Sequence, residues 1–587
     1  MKVNKLSIAI ASLFTTAALL SGCGTDGKDG ASGTAGKDGA GQVIALEQNG
    51  RTLSRGFDVS ASEIVAYDKK NNRIFSVNGK SGQVDVFANL AAATPTLSSS
   101  IDLGQLLLAN GVVTNVTLVG GANSVAVSDK YAAVAVAANP KTDKGWVVFL
   151  NLADLTFARA VSVGHLPDMV TFTPDGTKAI VANEGEPSDN YSVDPEGSIS
   201  VINTADFTKV DIGFTDFNVG GTRHSQLDLT KMIIDGYSAT NAGNKATVAQ
   251  SLEPEYITVS DDGTKAFVSL QENNAIAVVN LTNNSIDKIF GLGFKDHSIP
   301  GNEMDASQKD GVNIKNWPVM GMYMPDSMAS MTYNGKAYIL TANEGDARED
   351  WLNGVTDSAS CTAAGYYFKS KCRDELALRD IGDSDMTIGT GLTGLNTDNT
   401  LGRLKFSYFT TKVMNGGTAI NKLYAYGGRS FSIWDAETGA QVFDSGSFFE
   451  TKTAQLYGAN FNNDNAANIG DDRSDNKGPE PEAITVGKIN GHTYAFIGLE
   501  RMGGIMVYDI SNPFSPEYVQ YVNPRDFTQQ PAGTDTTYSP DVGDLGPEGF
   551  KFVSAAESPT GKDYLIVGNE VSGTTTVYQI NVTALQK

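Results

Sequence analysis

Histidine is almost missing: the 587 residues include only His165, His224, His297 and His492. A zinc or copper centre built from clustered imidazoles therefore has no support. Of the 3 cysteines none stands in a Cys-x-x-Cys-His run, which excludes a c-type haem. Positive charge is in deficit as well, with 44 Lys and Arg against 67 Asp and Glu and a formal net charge of −23. Such a surface repels polyanions, so nucleic acid is not an expected partner. The apolar run at residues 6–20 is too short to span a bilayer comfortably as a permanent helix.

What the chain does have is a recurring phrase. Residues 478–513 read GPEPEAITVGKINGHTYAFIGLERMGGIMVYDISNP, in which three short apolar or alternating runs are separated by Lys-Ile-Asn-Gly, Gly503-Gly504 and Asn512-Pro513. Runs of this kind, broken by Gly, Asn and Pro, form an antiparallel meander, and one meander cannot bury both of its faces. Drifted copies begin at Asp168, Glu255, Asp326 and Gly549, weaker ones at Glu63 and Asn123, and a degenerate one includes residues 422–435. Roughly eight self-similar all-β units, each about 40 residues or longer, are the mark of a β-propeller; solenoid repeats are shorter and more regular.

The ends and interruptions divide the chain further. Residues 1–23 read as an export signal, with Lys2 and Lys5 ahead of the apolar run. Leu20-Ser21-Gly22-Cys23 resembles a bacterial lipobox. That resemblance implies lipid attachment at Cys23, a membrane partner through the lipid and, with Gly24 following the cysteine, an outer-membrane lipoprotein facing the periplasm or the cell surface. The Gly-rich residues 24–41 lack proline and hold only about five Gly-x-y triplets, too few for a stable triple helix, and read as a hydrated tether. Residues 42–587 are the propeller, whose ring residues 42–57 could close by adding a strand to the last unit. Two insertions, near 350–401 and 460–476, break the rhythm. The first holds Cys361 and Cys372, an even pair that should form a disulfide in an exported protein, with a free thiol nucleophile as the alternative. The second is rich in Asn and Asp but lacks the ordered spacing of a calcium loop, so a polar loop and a calcium site both stand.

The acids keep a fixed place in the phrase. Asp168, Glu255, Asp326, Glu482 and Glu548 stand at the start of first strands, and Glu184, Glu272, Glu344, Glu500 and Glu570 follow the ends of second strands. In a meander those two points share an edge, so about ten carboxylates should gather at one mouth of a propeller channel. Crowded carboxylates raise one another's pKa unless neutralised, and a hard cation bound through oxygen, Ca²⁺ first, is the natural counter-charge. Arg348, Arg429 and Arg501 lie in the same register, and carboxylate-held metal beside arginine suits a phosphate group, so phosphoester hydrolysis with Arg348 or Arg501 on phosphate is the enzymatic reading. The plainer alternative is that acids at strand ends only solubilise edges and cap turns, the role assigned to Asp175 and Asp262 in PDGTK and DDGTK.

The phrases themselves carry a resemblance. Residues 183–189 (NEGEPSD), 343–348 (NEGDAR), 478–482 (GPEPE) and 546–550 (GPEGF) resemble the choice-of-anchor I family, which is related to mesenchyme-specific cell-surface glycoproteins. The resemblance covers nearly all of residues 45–582 and implies a seven- or eight-bladed propeller of the YVTN/WD40-like class. Some relatives carry an alkaline phosphatase label and most have no assigned activity. The expectation is an anchored, extracytoplasmic binding or scaffold protein with a protein or phosphoester ligand at the propeller face; a metal-dependent phosphoesterase is the alternative.

Overall fold

The computed structural model describes residues 42–348, 352–531 and 539–584; the signal, Cys23 and the tether lie outside them. Seven sheets of four antiparallel strands hold most of the strand residues. Their first strands are Val65–Asp68, Val119–Val127, Pro167–Phe172, Pro254–Val259, Met328–Tyr333, Pro481–Ile489 and Pro547–Val553. Each first strand lies against that of the next sheet, and the last returns to the first. All seven line one cavity of about 610 Å³, walled by side chains such as Val125, Val170, Ile257, Met328 and Phe550. No helix among the described residues is long and apolar enough to cross a membrane.

The burial of each strand follows from its place in the sheet. Second strands are covered on both faces and are mainly apolar, as in Tyr131–Ala138, where every residue is buried. Outer strands face solvent and turn polar, as in Thr96–Asp102 (TLSSSID). The turns between first and second strands are built as the sequence suggests. Asp175 accepts hydrogen bonds from the Thr173 hydroxyl at 2.6 Å and the Thr177 amide at 3.0 Å, while Gly176 takes the left-handed conformation at φ +68°. Asp262 repeats this with Ser260 and Thr264. The hydrogen bonds from these hydroxyls hold both carboxyls below the usual range, so these two acids are turn residues only.

The opening strand, Gln42–Arg51, pairs antiparallel with Thr574–Ala584, from Gln42 opposite Ala584 to Arg51 opposite Thr576. The last sheet is thus completed by the first segment of the described chain. Residues 422–435, expected to belong to a separate unit, do not form one. Phe431–Asp435 is instead the third strand of the sheet begun by Met328–Tyr333, paired with Lys336–Ala342. The chain leaves that sheet after Ala342 and returns at Phe431, so one unit is split by a long excursion.

The excursion has a core of its own, in which Leu378, Leu392, Leu401, Phe406 and Tyr408 pack with Met304, Trp317 and Val319. Cys361 and Cys372 are joined by a disulfide beside it. The cross-link closes a short loop, and in the chain-entropy picture such a loop contributes about 3 kcal/mol. Replacing both cysteines by alanine should therefore open this corner alone. Limited proteolysis should cut the variant between residues 352 and 377 while the main thermal transition stays within about 2 °C; a collapse of that transition would refute the local role. The second insertion is not a solvated loop: Asn462, Asn463, Asn465 and Ser474 are buried. The Asn462 amide donates to Glu450 at 2.7 Å, and the Arg525 guanidinium donates to the Asn463 side chain at 3.0 Å.

Candidate functional site

Each first-strand acid follows a proline in Pro167-Asp168, Pro254-Glu255, Pro325-Asp326, Pro481-Glu482 and Pro547-Glu548. In four of these five sheets the proline pairs with the end of the second strand, and the ladder shifts register immediately after it. Such a bulge leaves its extra residue out of the ladder and re-aims the side chain, and proline at the strand's edge has no N–H to lose. The second acid follows a residue anchored inside the sheet. Asn343 donates to the Ser432 hydroxyl at 2.8 Å, Asn183 to Ser200 at 3.0 Å and Asn569 to Thr576 at 3.2 Å, fixing the turns that carry Glu344, Glu184 and Glu570.

The two sets of acids do converge. Carboxylate oxygens of Glu184, Glu255 and Glu272 lie within 4.8 Å of one another, as do those of Asp326, Glu344 and Glu482, of Glu344, Glu480 and Glu500, and of Glu63, Glu548 and Glu570. The structure therefore brings nine of the ten acids expected in the ring into these triads, Asp168 standing in none of them, and adds Glu63 and Glu480. The ring is incomplete elsewhere. Gly79 stands where other sheets carry the second acid, and a Cβ there would come within 3.0 Å of Glu63. The second sheet offers Asn123, whose amide donates to the Pro167 carbonyl at 3.1 Å.

Burial and mutual repulsion weaken the acidity of the group. Burial, with Glu186 and Glu272 nearby, pushes Asp168 up to about 7. Glu63 rises to about 8 through burial and Glu570, against a hydrogen bond from Ser60. Glu184, Glu255, Asp326, Glu482 and Glu548 are raised well above the carboxylate range by burial and then by neighbouring carboxylates such as Glu186, Glu272, Glu344, Glu500 and Glu63. Glu480 goes the other way. Its burial is outweighed by Lys477, Arg473 and Arg501, which hold it down to about 2.

The arginines expected to face a phosphate are already engaged. Arg348 is 4 % exposed, forms ion pairs with Glu253 at 2.5 Å and Asp235 at 3.3 Å, and donates to the Ser251 carbonyl at 2.8 Å. Arg429 binds Glu450 and the carbonyls of Asp305, Ser474 and Asn476. Arg501 pairs with Glu500 at 3.0 Å and Glu480 at 3.2 Å but keeps 29 % of its side chain exposed. Glu500 is further held by the Asn465 amide at 2.9 Å, which makes it an anchored member of the ring. The sequence reading missed Lys477, Arg473, Glu253 and Asp235. The Pro-acid dipeptides were a usable signal for the bulges; nothing in the periodicity pointed to the counter-charges.

A family model described as the choice-of-anchor I domain matches residues 63–513. Gigasin-3a of Magallana gigas is 28% identical over 194 residues, which are 32% of this chain and 68% of that protein. The mesenchyme-specific cell surface glycoprotein of Strongylocentrotus purpuratus is 25% identical over 282 residues, 45% of this chain and 36% of that one. Among solved structures, hydrazine synthase of Kuenenia stuttgartiensis aligns at a TM-score of 0.41 and 12% identity, over 90% of this chain and 98% of that one. The Neurospora crassa Pan2 WD40 domain aligns at 0.40 and 9%, over 92% and 96%.

Proposed function

Because the chain belongs to the choice-of-anchor I domain family, we propose that it is an extracytoplasmic binding domain, a seven-bladed propeller whose carboxylate-lined mouth holds divalent cations. The seven four-stranded sheets and the cyclic order of their first strands support the blade count. Anchoring through a lipid on Cys23 at the outer membrane belongs to the same reading, and the name of the sea-urchin relative, a cell surface glycoprotein, agrees with an exported domain.

One observation carries the cation: carboxylates gathered from six sheets at one edge, several with no ion pair among the described residues. The donors fit the ion. Ca²⁺ takes oxygens at roughly 2.4 Å, so two ligands across one ion stand at most about 4.8 Å apart, and the oxygens of each triad lie within that limit. Bound there, Ca²⁺ would supply the counter-charge that favours the ionised carboxylates and an electrophilic surface for an anionic group; the chain's own part is to hold the oxygens in place. Arg501, partly exposed beside them, favours a phosphoester ligand and is the one observation behind the phosphoesterase alternative.

The pH dependence checks this reading. A carboxylate with a raised folded pKa holds its proton in the folded state when the unfolded chain has lost it, so stability falls as pH rises between the two values. With Asp168 at about 7 and Glu63 at about 8, the chelator-stripped full chain in detergent should melt several degrees lower at pH 8.5 than at pH 5.5. Millimolar Ca²⁺ should abolish most of that drop. Equal melting at both pH values, with no response to Ca²⁺, would sink the cation reading. Phosphate release from a generic monoester by the Ca²⁺-loaded chain, lost in Arg501→Ala, would move the function to a phosphoesterase.

A further inference from the structure

The carboxylates of the mouth are not equivalent. In the sector around Glu344 a lysine of the chain already stands among them: Lys477 Nζ reaches Glu344 at 2.5 Å, the Gly345 carbonyl at 2.6 Å and Glu480 at 3.2 Å. Arg473 adds a contact to Glu480 at 2.6 Å. Lys477 is delivered by the end of the second insertion, which is pinned where Asn465 joins Glu500 at 2.9 Å and Arg501 at 2.8 Å.

Around Glu184 nothing takes that place. Glu184 is 7% exposed, and among the described residues its carboxylate has no hydrogen bond and no ion pair. Glu272, 5% exposed, leaves Oε2 without a hydrogen-bond partner, with Arg348 no nearer than 4.0 Å and held more closely by Glu253 and Asp235. Buried carboxylates left unpartnered are costly unless a charge meets them, and both are aimed at one point together with Glu255.

We propose that Glu184, Glu255 and Glu272 form the primary divalent-cation site, and that Lys477 is a tethered ammonium standing in for such an ion in the Glu344 sector. The proposal rests on the cation-binding reading above and gives it an address. Three carboxylates supply only part of the roughly six to eight oxygens Ca²⁺ takes, so the outward side of the ion is left to water or to an oxyanion on a ligand.

The test is calorimetric titration of CaCl₂ into the chelator-stripped full chain in detergent. Glu184→Gln and Glu255→Gln, which keep side-chain size and relieve repulsion, should each weaken the tightest site at least tenfold with the melting curve retained. Lys477→Met should take up one more Ca²⁺ per chain than the unsubstituted protein and depend on it for stability. Affinity and stoichiometry unchanged in both glutamate variants would overturn the site's address. A Lys477→Met protein with no added ion would overturn the stand-in. If the unsubstituted chain takes up no Ca²⁺, the reading of the mouth itself fails, and this one with it.

Discussion

Replacing Arg348 by methionine should lower the unfolding free energy by about 3–5 kcal/mol, the cost of removing one partner from a buried ion-pair cluster. Arg348 is 4 % exposed and is the shared partner of Glu253 and Asp235, which come from a distant part of the chain. Without it those carboxylates face each other and Glu272 across a water-poor space, and they can relax only by taking up protons. Methionine keeps most of the volume, so the loss is electrostatic. Arg348→Lys should recover little, because one ammonium cannot reach Glu253, Asp235 and the Ser251 carbonyl together. Denaturant unfolding at neutral pH measures the difference; a loss below about 1 kcal/mol would mean that the cluster is screened by water.

A larger effect is expected from deleting Gln42–Arg51. The segment supplies a whole edge strand and buries Ile44 and Leu46, at 1% and 8% exposure, each worth about 1.5–3 kcal/mol. Its loss also bares Thr574–Ala584 as a long unpaired edge, an open template for pairing with other chains. The truncated protein should lose its single cooperative melt and elute as aggregates on size exclusion. Leu53→Ala, at a site 80% exposed just past the strand, should leave both measurements unchanged. A monomeric, cooperatively melting truncation would show that the ring holds without its clasp.

The strands and most of the ring acids were legible because period-2 runs and their turn residues are local signals, and the acids occupy one fixed position within them. The split sheet was not. A unit whose third strand follows its second after an excursion from residue 343 to 430 looks in sequence like one truncated unit and one degenerate unit, since periodicity cannot see across an insertion. The counter-charges were hidden for the same reason. Lys477 and Arg473 come from a segment with no repeat register, and Arg348 reads as a free cation until Asp235 and Glu253 are brought to it by the fold. Glu63 escaped because its sheet ends the second strand in Asn78-Gly79 and so lacks the paired acid that drew attention elsewhere.

The clasp between Gln42 and Ala584 also sets a clock. At ribosomal rates of about 5–20 residues per second, the partner of the opening strand is made roughly half a minute to two minutes after it. Through that interval the apolar side chains of residues 42–51 have no native place to go, and the sheets made in between can stack only into an open arc. Completion is therefore a late, long-range event with an unfavourable loop-closure entropy. A chain of this design benefits from being kept from its neighbours until its final residues arrive.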